Sequence, residues 1–203
     1  MSSEVAPPRV SVERPRERAD AARNRARVLA AAEKVFAEAG GADGVTMEEI
    51  ARAAGVGRAT LYRRYPDTTS IAQALLDEHE SEIQAGILSG PPPLGMGAPP
   101  HERLAAFYRA LVGLLERHLH LVLGAETGQA RYRTGVYAFW RRHVEVLLEQ
   151  AQAPKELADT LMAPLAPEVY RYQRQVRGLT PEQVAANLEY LSRRVLAGSP
   201  AER

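Results

Sequence analysis

Residues 46–65, TMEEIARAAGVGRATLYRRY, limit what this chain can fold into more than any other stretch. Thr46 and Glu49 have the spacing of a capping box, in which a hydroxyl accepts from an early backbone N–H and a carboxylate reaches back to the cap. Ile50, Ala51 and Ala54 then fall on one face of a short helix. Gly55-Val56-Gly57 stops that helix, because Gly55 can enter the left-handed region at low cost. Val56 is the apolar plug of the turn. A second helix from Arg58 to Tyr65 turns Leu61 and Tyr65 inward, and Pro66 ends it. Ala59, Thr60, Tyr62 and Arg63 are left facing outward, with Arg58 and Arg64 at the flanks. The pattern predicts a helix-turn-helix whose cationic second helix suits a DNA major groove. An αα-hairpin with a merely solvated face would satisfy the same residues.

The flanking sequence separates the two readings. VLAAAEKVFAEAG (residues 28–40) followed by GVTMEEIARAAGVGRATLYRRYPDTTSIAQALL (residues 44–76) resembles the N-terminal DNA-binding domain of the TetR family of transcriptional regulators, without gaps over roughly fifty residues. The resemblance implies an all-α protein in which an N-terminal three-helix DNA-binding domain precedes a helical ligand-binding and dimerisation domain. Two positions depart from the family pattern. Thr68 stands where many members carry a phosphate-contacting lysine, and Gly57 where a serine is common. Threonine can donate to phosphate but releases no counterion.

Composition narrows the field. At 203 residues, 45% hydrophobic and 25% charged, the chain suits one DNA-binding module and one further helical domain. No apolar run reaches 18 residues and the N-terminus has no apolar h-region, so neither a membrane span nor a secretory leader is expected. The absence of cysteine excludes disulfides, thiol catalysis and thiolate metal sites, and it fits a cytoplasmic location. Net charge is only +1, yet residues 9–27 hold seven arginines against three acidic residues.

Along the chain, residues 1–19 read as a disordered basic arm, either a solubilising tail or a segment reaching for DNA. Residues 20–66 form the helix-turn-helix domain. Its first helix spans about 20–39, capped by Asp20, with Val28, Leu29, Ala32, Val35 and Phe36 as its apolar stripe. Residues 67–203 form the regulatory and dimerisation domain. It opens with a helix capped by Asp67, in which Ile71, Ala74 and Leu75 face inward, and the Pro/Gly-rich stretch 90–100 is a connector. Helical patterns follow at about 101–118, 119–126 and 130–152. Phe107, Tyr108, Leu111, Tyr132, Val136, Trp140 and His143 lie in the aromatic-rich part and are the candidate lining of a small-molecule pocket. Packed core is the competing reading for each. A helix over about 154–177 should be kinked or split by Pro164 and Pro167. Thr180-Pro181-Glu182-Gln183 starts the last one, striped by Val184, Leu188, Leu191 and Val195. By the resemblance, residues 157–196 would pair with a second copy, placing Leu161, Leu165, Val184, Leu188, Leu191 and Val195 at a dimer interface.

Other chemistry finds little support. His118 and His120, which with His143 invite a metal reading, point about 200° apart on a helix and cannot share an ion unless the helix breaks there. No nucleophile elbow or phosphate-cradling loop is present, so neither an enzyme nor a cofactor is expected. The leading reading is a homodimeric repressor released from a palindromic double-stranded DNA operator by a small hydrophobic effector. Arg58, Ala59, Thr60 and Tyr62 would address bases and nearby phosphates. Arg63, Arg64 and the N–H groups at the start of the Thr46 helix would hold phosphates. A DNA-binding dimer without a ligand is the alternative, and a small helical enzyme or metal protein the third.

Overall fold

The computed structural model describes residues 15–42, 44–125 and 135–197, and among these residues every regular element is a helix, with no strand. The first helix, α1 (Pro15–Ala39), begins five residues before the expected Asp20 cap. Proline suits the first turn of a helix, and the following residues are mostly strong helix formers. Asp20 therefore lies inside the helix and pairs with Arg23 instead of capping. The rest of the basic arm, residues 1–14, lies outside the described residues.

Helices α2 (Met47–Ala54) and α3 (Arg58–Arg64) pack under α1, and α4 (Thr68–Ser89) leads away from them. The capping box at Thr46 and Glu49 is formed, as is a second one at Asp67 and Ser70. Gly55 adopts the left-handed conformation at φ 62° and its N–H bonds back to the carbonyls of Ala51 and Arg52. The core of this head is Val28, Leu29, Ala32 and Phe36 of α1, Ile50 and Ala54 of α2, Leu61 and Tyr65 of the α3 end, and Ile71 and Leu75 of α4. Two arginines of α1 reinforce it. Arg27 donates to the carbonyls of Ala54 and Gly55 at 3.0 and 3.1 Å, neutralising the negative end of α2. Arg25 reaches the carboxylate of Glu78 on α4 at 3.0 Å.

The second core belongs to a body built on α5 (Pro100–Ala125), which carries one break in helical geometry at His118 (φ −130°, ψ 23°). Helix α6 (Gly135–Gln150) and α7 (Leu157–Met162) close around it. Pro164 and Pro167 do split the following segment. A 3₁₀ turn over 163–165, the short α8 (Pro167–Arg171) and a π-turn over 172–176 replace one continuous helix. Glu116 of α5 holds this segment through a paired contact with Arg174 at 2.7 and 2.8 Å, and that guanidinium keeps the carboxyl below the usual carboxylate range. Helix α9 (Pro181–Leu196) lies along α5, where the Ser192 hydroxyl donates to the His101 carbonyl at 3.1 Å. Between α4 and α5 the chain folds back on itself, so that a Cβ on Gly95 would stand 1.9 Å from the Gly90 carbonyl oxygen.

Head and body share elements. Leu76 and Ile87 of α4 join the body core, and Leu121, beyond the α5 break, joins the head core. No described helix is long and apolar enough to cross a membrane.

Candidate nucleic-acid interface

Only Leu61 within α3, and Tyr65 just after it, are needed to anchor that helix to the head, at 2% and 5% exposure. Arg58, Ala59, Thr60, Tyr62, Arg63 and Arg64 are consequently all exposed on a single turn-and-a-half of helix. Tyr62 is among the large apolar side chains left in solvent, at 44%. An aromatic ring among three arginines and a threonine, all in solvent, suits contact with a polyanion whose bases present both edges and methyl groups.

The ends of this face are not equivalent. Arg58, itself largely in solvent, forms an ion pair with the partly exposed Glu48 of α2, so the guanidinium can leave that partner at little cost. Arg64 donates to the Ala21 carbonyl of α1 at 3.1 Å and thereby ties α3 to the scaffold. Gly57 begins α3 without any side-chain cap, and a Cβ there would meet nothing nearer than the Thr60 hydroxyl at 3.9 Å. Thr46 was expected to present its helix start to phosphate. Its own N–H and hydroxyl both donate to the Glu49 carboxylate at 2.8 Å. Those bonds hold the Glu49 carboxyl below its ordinary range.

In the body, the structure redistributes the expected pocket residues. A cavity between α4, α5, α6 and the α7–α8 segment is lined by Leu111, Val136 and Trp140, together with Tyr137, Met162 and the buried carboxylate of Glu80. Phe107 and Tyr108 do not reach it. Both have no exposed surface, and the Tyr108 hydroxyl donates to the Leu161 carbonyl at 3.0 Å, which satisfies the polar tip that suggested a pocket. His143 is also core, edge-on to Phe107 at 5.2 Å, and burial beside Arg103 lowers its pKa to about 4. Tyr132 lies outside the described residues.

The expected interface residues need a similar correction. Leu161, Leu165, Val184 and Leu188 are at most 5% exposed within the protomer, so they have no surface left for a partner. Leu191 and Val195 are half-buried against the same core. Among the described residues after α7, the large apolar side chains left exposed are Val169, Tyr172, Val176 and Tyr190, with Val176 71% exposed. Helical periodicity could locate the stripe but not tell which of two apolar faces the protomer itself would use.

Residues 28–75 match the family model described as bacterial regulatory proteins, tetR family. A stretch of 43 residues is 54% identical to an uncharacterised HTH-type transcriptional regulator of Mycobacterium tuberculosis (strain H37Rv), covering 21% of this chain. The match thus spans about a quarter (23%) of that relative's length. Among solved structures, a TetR-like transcriptional regulator from Rhodococcus sp. RHA1 is similar over 87% of this chain and 97% of its own, at a TM-score of 0.58 and 21% identity. The fatty acid degradation regulator FadR from Bacillus halodurans aligns over 89% of this chain and 97% of its own, with a TM-score of 0.62 and 17% identity. NalD, the secondary repressor of the MexAB-OprM multidrug efflux pump in Pseudomonas aeruginosa, aligns over 87% and 98%, at 0.55 and 20%. At such identities the structural likenesses speak to the fold.

Proposed function

We propose that this chain is a member of the TetR family of bacterial regulatory proteins and a homodimeric DNA-binding repressor of transcription. The observation that carries the reading is the outward face of α3, where Arg58, Thr60, Tyr62 and Arg63 stay in solvent because Leu61 and Tyr65 suffice to hold the helix. Base readout falls to Arg58, Ala59, Thr60 and Tyr62, and phosphate contact to Arg63 and Arg64. One such helix covers a half-site, so a second copy is required for a full operator. The exposed Val169, Tyr172, Val176 and Tyr190 supply an apolar surface on which two copies can pair. Footprinting on sequences selected by the protein tests this. A palindrome with half-sites about 34–36 Å apart, or a multiple of that, is expected; protection of one unpaired half-site by a monomer would contradict it.

The effector is the finer part of the proposal. A small hydrophobic molecule would enter between α4, α5 and α6, beside Leu111, Val136 and Trp140, and shift α4, which carries the head. FadR and NalD, by their names, regulate fatty acid degradation and a drug efflux pump, and an apolar effector here is in keeping with both. One observation favours the reading without a ligand. The cavity has ≈ 40 Å³ of free space, against about 300–1,000 Å³ for sites that hold drug-sized molecules. An effector must therefore select a form in which the body is more open. Val136→Trp tests whether a ligand acts at this cavity. If a ligand acts here, the variant binds operator and no longer responds to an inducing compound; a full response places the ligand elsewhere.

A further inference from the structure

Three side chains from three helices meet where the head joins the body. Glu33 projects from α1, His79 from α4, and His118 from the break in α5. One ligand atom from each lies within 4.8 Å of the other two. The Nε2 atoms of both imidazoles stand 3.5 Å from the same carboxylate oxygen, Glu33 Oε1. That is longer than a good N–H···O bond, at about 2.7–3.2 Å. It is close to the edge of a tetrahedron around an ion bound at about 2.0–2.1 Å, which is roughly 3.3 Å.

The surroundings agree with a cation between these atoms. His79 Nδ1 faces the Glu82 carboxylate at 3.3 Å, and in the tautomer that donates there Nε2 directs a lone pair at Glu33. Two acceptors then face one another, and buried His79 Nε2 makes no hydrogen bond that would resolve the conflict. A carboxylate behind a ligating imidazole is the usual outer partner of a metal-bound histidine. The His118 side chain is 3% exposed and that of His79 16%, so the donors are shielded, while Glu33 at 36% opens towards a surface cleft shared with Phe36 and Gly40. Two nitrogens and one oxygen, in a chain with no cysteine, suit a borderline divalent ion such as zinc or cobalt(II) rather than copper(I).

We propose that Glu33, His79 and His118 form a binding site for a divalent transition-metal ion of the zinc class, seated across the junction of head and body. The site takes the ion with both imidazoles neutral, and the cleft leaves a fourth position for water. It was hidden in the sequence because 46 residues separate Glu33 from His79 and 39 separate His79 from His118, with no metal-binding spacing among them.

The test uses the full chain, freed of metal by chelation and titrated with Co²⁺ alone, then with Zn²⁺ in competition. One equivalent of Co²⁺ should give the visible absorption of a four-coordinate N/O site, Zn²⁺ should abolish it, and the unfolding temperature should rise with either ion. Glu33→Gln and His79→Gln should lower affinity at least about 100-fold, and Glu82→Gln about 10- to 100-fold as the outer partner. His101→Gln, on the far end of α5, should change nothing. Far-UV circular dichroism on the metal-free variants separates loss of binding from loss of fold. Absence of binding by the unaltered chain, or equal binding by folded Glu33→Gln and His79→Gln, overturns the proposal. Neither readout involves DNA, so the result stands apart from the operator-binding reading.

Discussion

The head turns its chemistry outward, whereas the body encloses its own. On α3, Leu61 and Tyr65 satisfy the core and every other side chain stays in solvent. On α5 and α6 the order is reversed: Phe107, Tyr108, Trp140 and His143 are all buried, and a small cavity lies beside them. The head can therefore lose a functional side chain without losing its fold, while a change to the body's polar or aromatic groups acts on stability first. The two regions should thus respond to substitution in opposite ways.

The largest effect is expected at adjacent positions of the head. Leu61→Ala should destabilise the protein by about 2–5 kcal/mol, the range for emptying a packed leucine site. Tyr62→Ala should stay within roughly ±0.5 kcal/mol in thermal or denaturant unfolding and should weaken operator binding. Similar stability losses for the two would erase the contrast. In the body the matching probe is acid. The folded pKa of His143 is lowered to about 4 by burial and then by Arg103, against an ordinary value near 6.5. Above pH 6.5 the group is neutral in both states and contributes nothing. Between 6.5 and 4 the unfolded chain takes up the proton and the folded chain does not, so stability falls as pH falls. The loss should be on the order of 3 kcal/mol across that window. Denaturant midpoints at a series of pH values, for the protein and for His143→Phe, would show whether this slope depends on the ring.

Smaller effects sharpen the account of α3 itself. Arg58→Ala should cost about 1–3 kcal/mol of binding and relax the preference at one base pair. An equal loss on every sequence would reassign it to phosphate. Gly57→Ser should raise stability by a few tenths of a kcal/mol, since α3 lacks a side-chain cap and the new Cβ meets nothing closer than 3.9 Å. Calorimetry of the variant would register this as a rise in melting temperature.

How far the sequence could be read follows the same division. The capping box at Thr46, the left-handed Gly55 and the inward Leu61 are local devices whose residues lie within one or two turns, so they are visible in the chain itself. The split at Pro164 and Pro167 was legible for the same reason. What could not be read was choice between surfaces. Tyr108 looked like a pocket residue until its hydroxyl found the Leu161 carbonyl, 53 residues away. Val184 and Leu188 were legible as an apolar stripe, but whether α5 or another copy would cover it depends on packing over the whole body. The start of α1 was missed for a simpler reason, because Asp20 offered a plausible cap in a stretch that Pro15 could already begin.

The central claim is that the exposed face of α3 reads DNA sequence. The direct measurement is selection from a random double-stranded DNA library, with the unaltered protein and with Arg58→Ala, Thr60→Ala and Tyr62→Ala combined. The account predicts that the unaltered protein enriches a palindrome, and that the triple variant, with its melting temperature kept, enriches no common sequence. Enrichment of the same palindrome by the folded triple variant would contradict it.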